Sequence, residues 1–210
     1  MDEVTTDSGV TQALLEKVRA GDAAALEQLF ARHRPYLRRV IEARLDRKLS
    51  ARVDASDVIQ ETQLDAARRI EKFLDLGSIP FKVWLRKTAH ERLVDIYRRH
   101  AGAARRSVNR ETNPANRPAI DFAQFLTRSA STPSQQVSKK ESAQRVQRAL
   151  AELPSVDREI LLMRSLEGLS YSEAGYILDI APDVARRRHG RALVRLHKSL
   201  RDMGLTESAL

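Results

Sequence analysis

Cysteine is absent from the 210 residues, which excludes disulfides and any thiolate-bound zinc. Aromatic residues make up only 5% of the chain, and no apolar run approaches the roughly 18 residues needed to span a bilayer. The opening Met1-Asp2-Glu3 is acidic where a signal peptide would be basic, so membrane insertion is not expected and a cytoplasmic location fits. The five His show no ligand spacing, and His90-Glu91 does not open a zinc-protease motif, because Val94 stands where the second His belongs. No catalytic residue, metal or cofactor is expected from this inventory.

What the chain does have is charge. With 31% charged and 42% hydrophobic residues, an all-α, charge-decorated protein is expected. A net charge of +9 and a pI near 10.2 favour an anionic partner. The distribution says more than the total. Residues 81–110 hold nine Lys/Arg against two acids, residues 182–201 hold seven against one, and the remainder is net acidic. Two separate basic stretches suggest two contacts with a polyanion.

Spacing organises the chain into two helical domains joined by a flexible linker. Over residues 10–100 four helices are expected. Asp22 caps one that carries Leu26, Leu29, Phe30, His33, Leu37, Val40 and Ile41 and bends near Pro35; Asp54 caps another that runs to about Phe73. Pro80 opens the helix bearing Trp84, Leu85, Ala89, Leu93 and Ile96. Residues 101–138, interrupted by Asn113-Pro114, Arg117-Pro118 and Ser129 to Ser134, read as the linker, with one apolar island at Phe122, Phe125 and Leu126. Residues 139–204 form the second domain and end in a helix-turn-helix. There Ser170 and Glu173 make a capping box, Asp179-Ile180-Ala181 is the turn, and Pro182 opens a helix rich in Arg.

Three constellations carry functional expectations. On the helix capped by Asp54, an inward face of Ile59, Ala66 and Ile70 leaves Asp57, Gln60, Glu61 and Leu64 together on the outward side. That face reads either as a protein-docking patch or as a solvated surface whose acids complement the helix dipole. The Trp-bearing helix sets aromatics beside cations, a combination suited to single strands, although Trp84 itself reads as core. In the last helix, Ala185, Ala192, Leu193 and Leu196 are expected inward, which turns Arg186, Arg187, Gly190 and Arg191 outward toward a major groove. Two other readings stay open at this level. A helix-turn-helix regulator would bind duplex DNA without polymerase, and a nucleic-acid enzyme would use Asp57, Glu61 and Asp65 as metal ligands, although three acids on one helix lack the second segment an octahedral site needs.

The order of parts resembles an extracytoplasmic-function (ECF) sigma factor of bacterial RNA polymerase, from about Leu14 to Leu200. The strings that carry the likeness are Arg19-Ala-Gly-Asp22, Asp57-Val-Ile-Gln60-Glu61-Thr62, Phe81-Lys-Val-Trp84-Leu85 with Asp95 and Arg98-Arg99, Leu150-Ala-Glu-Leu153-Pro154, Glu167-Gly168-Leu-Ser170, and Arg186 to Leu193. The resemblance implies a non-catalytic protein whose partners are core RNA polymerase and promoter DNA, double- and single-stranded, and it leaves open an anti-sigma factor. It implies polymerase contact through Asp57, Gln60, Glu61 and Leu64, and a base pocket in a loop of about Glu71 to Ile79. It implies minus-ten contacts along the Trp-bearing helix, at Lys82, Arg86, Lys87, His90, Glu91, Arg98 and Arg99. A winged-helix-like sigma region four would read the minus-thirty-five element with Arg186, Arg187, Gly190 and Arg191. Several residues depart from the family pattern: Glu91 stands where Asn is usual, Ala174-Gly175 where Ile-Ala is usual, Asp179 where Gly is usual, and Val184-Ala185 where Thr-Val is usual. The last three are expected to soften the core under the recognition helix.

Overall fold

The computed structural model describes residues 7–45, 49, 51–106, 145–146 and 148–204, and they contain helices and no strand. The chain divides into two compact units, Met1–Glu42 with Leu49–Thr112 and Ala43–Lys48 with Asn113–Leu210. Most of the expected linker, with Phe122, Phe125 and Leu126, lies outside the described residues.

In the first unit each helix begins where a side chain satisfies its open N–H groups. Ser8 caps α1 (Gly9–Arg19), and Gly21, at φ 89°, reverses the chain after it. Asp22 then accepts the Ala25 N–H at 3.1 Å to open α2 (Ala23–Glu42), which runs unbroken past Pro35. Asp54 accepts the Ser56 N–H at 2.6 Å at the head of α3 (Ala55–Leu76), and the left-handed Gly77 ends it. Helix α3 therefore continues beyond Phe73 and takes up Glu71 to Leu76, so the expected base-pocket loop shrinks to residues 77–80. Helix α4 (Phe81–Arg106) follows Pro80, and its first N–H is taken at 2.7 Å by Asp7, far away in sequence. Burial raises the Asp7 pKa, opposed by the backbone N–H groups of Phe81 and Lys82.

Helix α3 packs on α2 and α4, and the buried stripe of α2 (Ala25, Leu29, His33, Leu37, Val40, Ile41) keeps the three-and-four spacing of one helix face. Phe81 is the hub of this core. Its ring centroid lies 5.5 Å from Phe73, 5.7 Å from Trp84 and 5.1 Å from His33. Each such aromatic contributes about 1.5–3 kcal/mol of burial. Trp84 is core, as its spacing predicts.

The second unit runs through a helical stretch at 148–152 to Pro154, then α5 (Ser155–Leu161), a π turn over Leu162–Leu166, α6 (Tyr171–Leu178) and α7 (Pro182–Asp202). The capping box forms as expected: Ser170 Oγ accepts the Glu173 N–H at 3.1 Å, and the Glu173 carboxylate accepts the Ser170 N–H at 2.7 Å. Two of the residues that depart from the family pattern shape the turn before α7. Asp179 takes the left-handed conformation at φ 53°, and the Ile180 N–H closes the turn on the Gly175 carbonyl at 3.0 Å. A Cβ on residue 175 would stand 2.7 Å from the Ile180 oxygen, so this close approach requires glycine. Ala185, Ala192 and Leu196 face the core, whereas Leu193, expected inward, is 44% exposed. It is rotated one step off the buried stripe, in a sector that neither α5 nor α6 covers. With no strand among the described residues, no wing accompanies the helix-turn-helix there. Arg44 is also buried in this unit, with Nε 2.9 Å from Glu159 and a second nitrogen 2.5 Å from Glu167.

Candidate functional site

Helix periodicity brings Asp57, Gln60, Glu61 and Leu64 to one exposed face of α3, opposite Val58, Ile59, Thr62 and Ala66. Leu64 is 52% exposed, an apolar side chain set among acids and an amide. Arg92 of α4 edges the face, its Nε 3.4 Å from Glu61 while its terminal nitrogen holds Asp65. Asp65 also pairs with Arg68 at 3.4 Å. With Asp65 committed to two guanidiniums, the three-acid metal reading loses a ligand, and no group of three candidate ligands occurs among the described residues.

Helix α4 divides the cations expected to meet DNA. Arg98 and Arg99 are exposed, while Lys87 and His90 are partly so. The Lys82 ammonium sits 4.6 Å from the centre of the Tyr36 ring. Arg86, expected at the DNA, is instead fully buried and among the largest enclosed side chains. The first turns of α4 are covered on nearly every side, since Phe81, Val83, Trp84, Leu85, Thr88 and Ala89 are all buried, and Arg86 lies inside that cover. Glu91 is held at 2.9 Å by Arg69 of α3, so the acid that stands in the family's Asn position is neutralised by its neighbour. The sequence reading missed Arg69 and Arg92. Both act across the α3–α4 seam, and spacing within one helix carries no signal for such pairs.

Helix α7 presents Arg186, Arg187, Gly190 and Arg191 to solvent, as expected. A Cβ at Gly190 would meet nothing within 4 Å, so that position leaves a bare gap between flanking guanidiniums rather than serving packing. Arg195 is turned back onto Asp157 of α5.

Residues 29–103, from within α2 through α3 and most of α4, match Sigma-70 region 2, and residues 143–196, spanning α5, α6 and most of α7, match Sigma-70, region 4. The ECF RNA polymerase sigma-E factor of Haemophilus influenzae is 30% identical over 182 residues, covering 86% of this chain and 90% of that protein. The chain belongs to the ECF sigma factors. Its fold is likewise similar to solved sigma-factor structures. One is CnrH in complex with the cytosolic domain of CnrY, at TM-score 0.59 and 21% identity over 92% of this chain and 99% of that one. Another is the sigma factor RpoE with the anti-sigma factor NepR from Bartonella quintana, at TM-score 0.57 and 23% identity over 83% and 96%. The region 2 match of this ECF sigma factor contains the acidic α3 face and the cationic α4, and the region 4 match contains the recognition helix through Leu196. No described helix is long and apolar enough to cross a membrane.

Proposed function

We propose that this ECF sigma factor divides its work among three surfaces. The outward face of α3, Asp57, Gln60, Glu61 and Leu64, docks on core RNA polymerase. Helix α4 lies along the minus-ten element, with Arg98 and Arg99 on phosphates and Lys87, His90 and the Arg69-held Glu91 nearer the bases. Arg186, Arg187 and Arg191 enter the major groove of the minus-thirty-five element, where a guanidinium reads guanine bidentately or clamps phosphate. The protein works by binding in the cytoplasm, without catalysis of its own. The NepR complex of the Bartonella quintana relative supports an anti-sigma factor as a further partner.

The observation that carries this reading is the division of exposed charge: an acidic face with an exposed Leu on α3, and the outward guanidiniums of Arg186, Arg187 and Arg191 in the first half of α7. Charge reversal by Asp57→Lys with Glu61→Lys tests the docking surface. Affinity for purified core polymerase should fall at least tenfold while helical content is unchanged. Equal affinity would remove the α3 assignment, and tight duplex binding with no affinity for polymerase would favour a regulator acting alone.

A further inference from the structure

Tyr171 opens α6 directly after the capping Ser170, and α7 supplies two of its neighbours. The Arg186 guanidinium carbon lies 5.4 Å from the centre of its ring. Its hydroxyl is 3.1 Å from Nδ1 of His189, three residues further along the same helix, and the two rings are 5.8 Å apart. Arg164, from the π turn, places a second guanidinium carbon 4.1 Å from the ring centre and donates a hydrogen bond to the Leu169 carbonyl. Burial, with the charge of Arg164, lowers the His189 pKa and favours the neutral imidazole beside the hydroxyl.

We infer that Tyr171 is a positioning residue for Arg186: its ring, fixed by His189 and Arg164, holds the guanidinium in place before DNA arrives. The inference rests on the reading that Arg186 contacts a base. An exposed arginine on a helix samples many rotamers, and ordering it on binding weakens the complex. A guanidinium within about 6 Å of a ring face is held there by the ring's quadrupole. Arg187 and Arg191 show no such ring among the described residues, so of the three arginines assigned to the groove the effect is specific to Arg186. Removing the cost of ordering one long side chain corresponds to about threefold to tenfold in affinity. That gain appears only where Arg186 makes its directed contact, so it is a gain in discrimination.

The test uses holoenzyme reconstituted from the full chain and core polymerase, binding a pool of promoter duplexes randomised over the upstream element. Arg186→Ala first locates the base position whose preference depends on Arg186. Tyr171→Leu should reduce preference at that position about threefold to tenfold and leave the others intact, and adding it to Arg186→Ala should cause no further change. Tyr171→Phe keeps the ring and loses the His189 bond, so it should show a smaller loss at the same position, which carries the test if the Leu variant does not fold. Preference unchanged in both Tyr171 variants, or reduced equally across the element, would overturn the inference while leaving base contact by Arg186 standing. If Arg186→Ala alters no position, the base-reading assignment falls and the inference falls with it.

Discussion

The two basic stretches look alike in sequence and behave differently in the fold. Residues 81–110 and 182–201 carry similar excesses of Lys and Arg. Yet α4 turns much of its charge inward or sideways: Arg86 is enclosed, Arg92 holds Asp65 and Glu61, and Lys82 rests on Tyr36. Helix α7 keeps Arg186, Arg187 and Arg191 in solvent and diverts Arg195 to Asp157. The cause is how much of each helix its neighbours enclose. Both pack on two helices, but the first turns of α4 are buried nearly all round between α2 and α3, whereas α7 buries only the stripe of Ala185, Ala192, Leu196 and Leu200 against α5 and α6. Net charge of a segment therefore measures affinity for a polyanion only after the inward cations are subtracted.

The largest effect that sharpens this contrast is on stability. Arg86→Ala removes a fully enclosed side chain and should cost about 3 kcal/mol in denaturant unfolding, whereas Arg186→Ala should stay within about 0.5 kcal/mol. Comparable costs for both would erase the distinction between the helices. Next is Gly175→Ala, whose new methyl meets the Ile180 backbone oxygen. A loss of about 1–3 kcal/mol is expected, confined to the second unit, and a neutral result would show that the turn can relax. Ser170→Ala should cost about 1 kcal/mol through the lost cap on α6. Calorimetry on the single variants would rank the three.

In the first unit, acid sensitivity should come from His33. His33 is pressed against Phe81, and burial, followed by the charges of Arg32 and Lys82, lowers its pKa to about 4. The unfolded chain then binds more protons between about 6.5 and 4, so stability is full above pH 6.5 and declines as pH falls toward 4. His33→Leu should flatten that decline, and a profile unchanged by the substitution would assign it to other groups.

Local chemistry was readable in the sequence because it acts over three or four residues. Asp22, Asp54 and Ser170 each cap the helix they were expected to cap, and Pro80 precedes the start of α4. The outward sets on α3 and α7 followed from the same periodicity. Contacts across helix seams were not readable: Asp7 on the N-terminus of α4, Arg69 on Glu91, and Arg92 between Asp65 and Glu61 all depend on which helices become neighbours. The burial of Arg86 escaped for the same reason, since a cation at a helical position reads as solvent-facing until the opposite helices are in place. Leu193 failed in the other direction, an apolar residue that is left exposed because no element among the described residues covers its side of α7.

The salt dependence of promoter binding by reconstituted holoenzyme tests the division between the two helices most directly. Each lost phosphate contact flattens the plot of log affinity against log salt by about 0.9 units. Replacing Arg186, Arg187 and Arg191 together with Ala should flatten it by about one to three units. Arg92→Gln, measured at saturating core polymerase, should leave it unchanged. A slope untouched by the α7 substitutions, or flattened as much by Arg92→Gln, would contradict the account.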